Sequence, residues 1–152
     1  MEAVLLVGIP ACGKTTFYVE RFLNTHVRIS LDMLRTRHRE SVFAAACLAV
    51  RQPFVVDDTN FLRSQRAAFI EPARAAGFRV VGYELRCDVK EALRRNRARP
   101  AGRVVPPAGV VAAFKRLQRP SFSEGFDALF VVESGPDGFA VREQKKRPST
   151  AG

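Results

Sequence analysis

The sequence predicts an α/β domain whose mainly parallel, five-stranded sheet is covered by helices on both faces, and three observations carry that prediction. Short apolar runs alternate with longer segments of helical periodicity along most of the chain. The first run, Ala3 to Val7, shows no polar alternation, as expected of a strand buried on both faces. A glycine-containing segment follows it at once and opens a helix, the arrangement in which backbone amides converge on an anion.

The elements follow in order. Lys14 to Asn24 is expected to form a helix that buries Phe17, Val19, Phe22 and Leu23, and Val27 to Ile29 a short second strand. Leu31 to Arg51 reads as one or two helices with apolar positions at Leu34, Val42, Phe43 and Cys47, up to the boundary at Pro53. Phe54 to Asp57 is a third buried strand, Leu62 to Ala76 a helix closed by Gly77, and Phe78 to Leu85 a fourth strand. Asp88 and Glu91 have capping-box-like spacing and open a helix that Pro100 stops. Ala101 to Pro107 is a loop, Ala108 to Leu117 a helix and Ala128 to Val132 a fifth strand. The domain is expected to span 1–133. From Ser134 the composition turns to Gly, Pro, Lys and Ser, so 134–152 is expected to be a separate segment whose last ten or so residues form a disordered basic tail.

With 152 residues and 47% hydrophobic content, one core is expected, burying roughly 70% of the surface of the unfolded chain. No apolar stretch approaches the roughly 20 residues that span a bilayer, which argues against a membrane partner. Chemistry-bearing sequence starts within ten residues of Met1 with no leader pattern, so a cytoplasmic protein is expected. Cys12, Cys47 and Cys87 have neither Cys-x-x-Cys nor metal-ligand spacing and read as reduced thiols. The net charge is +10, and setting aside the charges of 142–147 still leaves 21 basic against 14 acidic residues. Between Ala92 and Ser123 stand Arg94, Arg95, Arg97, Arg99, Arg103, Lys115, Arg116 and Arg119 with no acid. That stretch suits a polyanion, or serves solubility alone.

Gly8-Ile-Pro-Ala-Cys-Gly-Lys-Thr15 matches G-x-x-x-x-G-K-[ST], which a chain of this size shows by chance roughly once in 200. Gly8 and Gly13 let the backbone wrap phosphates, the segment Ala11, Cys12, Gly13, Lys14, Thr15 and Thr16 supplies its donors, and Lys14 can bridge the β- and γ-phosphates of ATP. The Thr15 hydroxyl can ligate Mg²⁺. With its surroundings, the loop predicts a three-layer P-loop NTPase sandwich.

Asp32 and Arg35 lie three apart, on one face if the helix after the second strand runs through both. Asp32 is a candidate base for an attacking hydroxyl and Arg35 a candidate for an anionic group of the acceptor; alternatively Asp32 is a first-turn carboxylate behind an N-cap Ser30. Asp57-Asp58-Thr59-Asn60 sits at the end of a buried strand, where one carboxylate can hold water around Mg²⁺ while Asp58, Thr59 and Asn60 meet the acceptor, or where the segment is only an Asx turn. Arg95 and Arg99, four apart before the glycine- and proline-containing loop, suit an arginine-rich lid that neutralises transferring phosphate, or a solvated helix face. His26 and His38 have no partner of metal-ligand spacing.

Taken together, these segments resemble the 5′-hydroxyl polynucleotide kinase family: the Gly8 to Thr15 loop, I-S-x-D-x-x-R at Ile29 to Arg35, D-T-N at Asp58 to Asn60, R-N-x-x-R at Arg95 to Arg99, R-V-V-P-P at Arg103 to Pro107, and Glu124-Gly-Phe-Asp127. The resemblance implies transfer of the γ-phosphate of Mg·ATP to the 5′-hydroxyl of single-stranded or end-exposed DNA or RNA. It implies Asp32 as the base, Arg35 on the acceptor phosphate, Arg95 and Arg99 on the donor, and Asp58, Thr59 and Asn60 on the acceptor side. The family's D-x-D-x-T phosphatase motif is absent, so kinase activity alone is expected. The residues also suit a small-molecule kinase of the same fold, or a regulatory module that uses ATP as a switch.

Overall fold

Six strands form one sheet in the computed structural model, which describes residues 1–148. They are β1 (Glu2–Val7), β2 (Val27–Ile29), β3 (Phe54–Asp57), β4 (Arg79–Arg86), β5 (Ala128–Gly135) and β6 (Gly138–Gln144), in spatial order β2-β3-β1-β4-β5-β6. The first five run parallel and β6 pairs antiparallel with β5. The expected architecture is therefore present, with one strand more than anticipated.

The apolar run of β1 holds the sheet's centre because its side chains are covered on both sides. Ala3 and Leu5 point to one face, where they pack with Phe54, Val56 and residues of α3 (Arg37–Ala49) and α4 (Arg63–Ala75). Val4 and Leu6 point to the other, toward α1 (Lys14–Arg21), α5 (Val89–Arg97) and α6 (Pro107–Arg116). A single-turn helix, α2 (Leu31–Leu34), precedes α3. Because β3 and β4 lie on opposite sides of β1, the strand order reverses at the carboxyl end of β1, the crevice where open α/β sheets bind ligands.

Three expectations need correction. Helix α1 ends at Arg21 and buries Phe17 and Tyr18, with Phe22 buried at its C-cap; Val19 and Leu23 face solvent. In α3 the face turned to the sheet carries Glu40, Ala44 and Cys47, which leaves Val42 and Phe43 half exposed. The break at 133 is not a domain boundary, since Glu133 lies within β5 and the chain returns as β6. The alternation Phe139, Val141 packs onto the sheet core beneath α1. Of the expected tail, 145–148 follow β6 without regular structure and 149–152 lie outside the described residues.

One buried charge fixes the loops beneath the site. Arg66 on α4 is 0% exposed and gives the Nε and Nη2 edge of its guanidinium to Glu124, at 2.7 and 3.0 Å, while Nη1 donates to the carbonyls of Asn60 and Gln118. A planar fork satisfied at every side is the geometry in which a buried arginine is stable.

Candidate active site

The segment after β1 is held by its neighbours before any ligand enters. The Gly8 amide donates to the carbonyl of Thr59 at 3.0 Å, and a Cβ at Gly8 would sit 3.1 Å from the Leu85 carbonyl, so only glycine lets the loop lie this close to β4. Ala11 and Gly13 take left-handed φ values of 65° and 95°, and α1 starts with Phe17 N donating to Gly13 O. Lys14 closes the loop: Nζ donates to the carbonyls of Gly8 and Ile9, both at 2.9 Å. Burial pulls its ammonium down to about 8, with Asp57 opposing that shift and Arg99 adding to it.

Thr15 Oγ1 donates to Asp57 Oδ2 at 3.0 Å, which joins the first turn of α1 to the end of β3. Arg28, the single charged residue of β2, donates from Nε to the same carboxylate oxygen at 2.8 Å. A hydroxyl and a carboxylate so placed are hard oxygen donors that suit Mg²⁺, whose remaining ligands come from phosphate and water. Among the described residues no group of three or more His, Cys, Asp or Glu is placed to hold a metal alone.

These groups open onto a cavity of about 740 Å³, within the range of small-ligand sites. Its lining includes Ala11, Gly13, Lys14, Thr15, Thr16, Asp32, Asp57, Asp58, Thr59, Arg95 and Arg99, so most of the candidate residues converge. Asp32 is exposed at the cavity wall. Ser30 does not cap α2; the Leu31 amide is instead taken by Asp58 Oδ1 at 2.8 Å, so Asp58 anchors the turn that presents Asp32. Arg95 is steadied by Glu91 and by Ser134 Oγ at 2.8 Å. Asn96 brackets the arginine-bearing loop: Nδ2 donates to Val105 O at 2.6 Å and Oδ1 accepts from Val105 N at 2.9 Å. The β5–β6 hairpin closes another wall with Ser134, Gly135, Gly138 and Phe139.

The structure does not bring Arg35 or Asn60 to this cavity. Helix α2 stops at Leu34, and Arg35, at φ 76°, is its left-handed C-cap, which breaks the three-residue spacing from Asp32. Asn60 is turned inward at 2% exposure, donating to Leu6 O and Val56 O, and so supports β1 and β3. Gly8 and Cys12 shape the loop without lining the cavity. Arg37 was missed and takes the place expected of Arg35: it lines the cavity, and Nη1 is shared between Glu40 at 2.9 Å and Asp58 at 3.3 Å. Burial, then Asp58, push the Glu40 carboxyl above its usual range against the pull of Arg37. Arg28 was also missed, though a charge inside an otherwise apolar strand was its signal. Cys12 and Cys87, expected as thiols, form a disulfide with Cα atoms 5.9 Å apart. They are 75 residues apart in sequence, and only the pairing of β1 with β4 brings them together.

A family model described as an AAA domain matches residues 41–120, slightly more than half of the chain, starting beyond the phosphate loop. Among solved structures, a gluconokinase from Sinorhizobium meliloti 1021 is similar at 18% identity and TM-score 0.59, over 87% of this chain and 82% of that one. Chaetomium thermophilum Kti12 in complex with ADP-AlF3 is similar at 17% identity and TM-score 0.62, over 89% and 92%. The Mycobacterium tuberculosis APS kinase CysC in complex with AMPPNP and APS is similar at 19% identity and TM-score 0.57, over 90% and 88%. These likenesses are of fold: a three-layer P-loop kinase sandwich.

Proposed function

The chain belongs to the AAA domain family, and on that membership and the geometry of the cavity we propose that it is an ATP-dependent phosphotransferase acting on a hydroxyl of a small, anionic acceptor. One observation carries the reading. A loop lysine, a hydroxyl–carboxylate pair suited to Mg²⁺, an exposed aspartate and two lid arginines line a single cavity of about 740 Å³. A switch that only holds nucleotide needs the first two of these and has no use for the aspartate.

Lys14, the loop amides and Arg99 hold the donor phosphates, and the hairpin around Phe139 walls the same cavity. Bound Mg²⁺ supplies charge neutralisation of the phosphates at Thr15 and Asp57. Asp32 accepts the hydroxyl proton as the acceptor oxygen bonds to the γ-phosphorus, and the bond to the bridging oxygen breaks to leave ADP. Arg95 and Arg99 spread the developing charge, and Arg37 faces an anionic group of the acceptor. Support for a small acceptor comes from neighbours whose own names specify such chemistry, the gluconokinase and the APS kinase.

A second reading, transfer to a 5′-hydroxyl of DNA or RNA, draws on Arg116, whose guanidinium lies over the ring of Phe61, itself part of the cavity wall. One experiment separates the two. Labelled γ-phosphate transfer from Mg·ATP is measured with sugar acids, other small hydroxyl acceptors and a 5′-hydroxyl oligonucleotide. Transfer to small acceptors, not competed by oligonucleotide, is expected. Transfer confined to the oligonucleotide establishes the second reading, and no transfer to any acceptor by a protein that binds ATP removes both.

A further inference from the structure

The Cys12–Cys87 disulfide fastens the phosphate loop, from behind, to the junction of β4 and α5. Cys12 is 3% exposed and does not line the cavity that holds Lys14; it lines a separate one of about 380 Å³, with Cys87, Arg86, Arg119 and Phe114. The two residues on either side of Cys12, Ala11 and Gly13, are both left-handed, a conformation that disfavours alanine. The bridge thus pins the one residue of the loop that lies between two unfavoured or glycine-dependent turns. Behind it, the sulfurs are reached through a cavity other than the one the nucleotide would fill.

We propose that Cys12–Cys87 is a reversible thiol–disulfide site that sets the nucleotide affinity of the loop. The bridge holds the cradle in its phosphate-binding shape, and reduction frees the loop to leave it. The proposal rests on the reading of this loop as nucleotide-binding. The co-reactant is a dithiol. Its thiolate attacks Sγ of Cys87, the half-buried partner; the S–S bond breaks, and the electron pair leaves on Sγ of Cys12, which takes a proton from solvent. The second thiol then displaces Cys87, giving two cysteine thiols and the oxidised, cyclic dithiol. Arg86, whose Nε is buried without a partner among the described residues, and Arg119 stand at the cavity wall, but Glu84, at 3.3 and 3.7 Å from them, Asp88 and Glu133 line it too, so the cavity carries no excess of positive charge and admits the dithiol by access alone.

The test uses the full chain, oxidised or reduced with dithiothreitol, with the state fixed by alkylation after denaturation: Cys47 alone labels in the first, all three cysteines in the second. Fluorescent ADP affinity and amide exchange of 9–14 are measured in both. If about a tenth of the freed loops keep the cradle shape, ADP binds about tenfold more weakly after reduction, and exchange of 9–14 accelerates. Cys87→Ser, which leaves the lining of the cavity around Lys14 intact, should give the weak value with and without reductant. Equal affinity in the two states of a protein that binds ADP overturns this proposal alone, as does labelling of all three cysteines without reductant. No ADP binding in either state, with exchange still responsive, overturns the nucleotide reading and this proposal with it.

Discussion

Binding of nucleotide should draw a proton into the loop above pH 8. The Lys14 ammonium is pulled down to about 8 by burial among loop carbonyls and by Arg99, against the attraction of Asp57. Phosphate oxygens against Nζ favour the charged form and carry the group back toward its ordinary value of 10.5. Below pH 8 the free lysine is already charged and affinity is flat. Between 8 and 10.5 each unit of pH empties more of the binding-competent form, so affinity falls as pH rises. At pH 9.5 the free loop is charged in about 3% of molecules, and the ADP Kd should be about 30-fold higher than at pH 7. Calorimetric titration from pH 7 to 9.5, in two buffers of different ionisation enthalpy, reads both the slope and the proton taken up. Lys14→Met should bind weakly at every pH and show no slope. A flat wild-type profile, or a slope retained in Lys14→Met, would refute the assignment of the perturbed group to the phosphate cradle.

Asp32 is exposed and forms no side-chain hydrogen bond among the described residues, so Asp32→Asn should leave ADP affinity and thermal stability unchanged while single-turnover transfer slows about 10²- to 10⁴-fold. Arg66→Leu strands Glu124, 8% exposed at its side chain, without its bidentate partner; urea unfolding should show a loss of about 3–5 kcal/mol. Asn96→Ala removes both hydrogen bonds to Val105, and a loss of about 1–3 kcal/mol should appear in the same assay, with faster proteolytic cleavage near Gly102.

What the sequence disclosed and what it hid divide along physical lines. Strands buried on both faces are visible as unbroken apolar runs, and β1 after Glu2 and β3 before Asp57 carry no polar residue, so their burial within the sheet was legible. The loop was legible because its glycines, lysine and threonine are contiguous. Arg37 was hidden because the spacing argument assumed a helix continuing through Arg35, whereas Thr36 breaks it and caps α3 by accepting from the Arg39 amide at 3.1 Å. Strand β6 was hidden because a two-stranded hairpin at a sheet edge needs glycines at its turn, and Gly135 and Gly138 gave 134–152 the composition of a tail. The disulfide depends on a strand order that no local pattern encodes.

The basic stretch between Ala92 and Ser123 shows why counting charges along a chain overstates a surface. Glu91 stands one residue before that acid-free window and pairs with both Arg94 and Arg95 across one turn of α5. Arg119 lies 3.7 Å from Glu84, an acid from β4 that the fold places beside it. Three of the eight charges are therefore matched within the molecule, and Arg95 and Arg99 face the cavity in which the donor phosphates would lie. What is left for an acceptor is Arg97, Arg103, Lys115 and Arg116, with Arg116 over Phe61 at the cavity wall. A strand tracking along such a surface would release few counterions, and its affinity would fall only shallowly with salt. Arg37 is matched within the molecule as well, by Glu40 at 2.9 Å and Asp58 at 3.3 Å, yet its side chain stays 51% exposed and lines the cavity, where a single guanidinium suits one anionic group. That distribution favours an acceptor whose charge is compact over one whose charge is spread along a polymer.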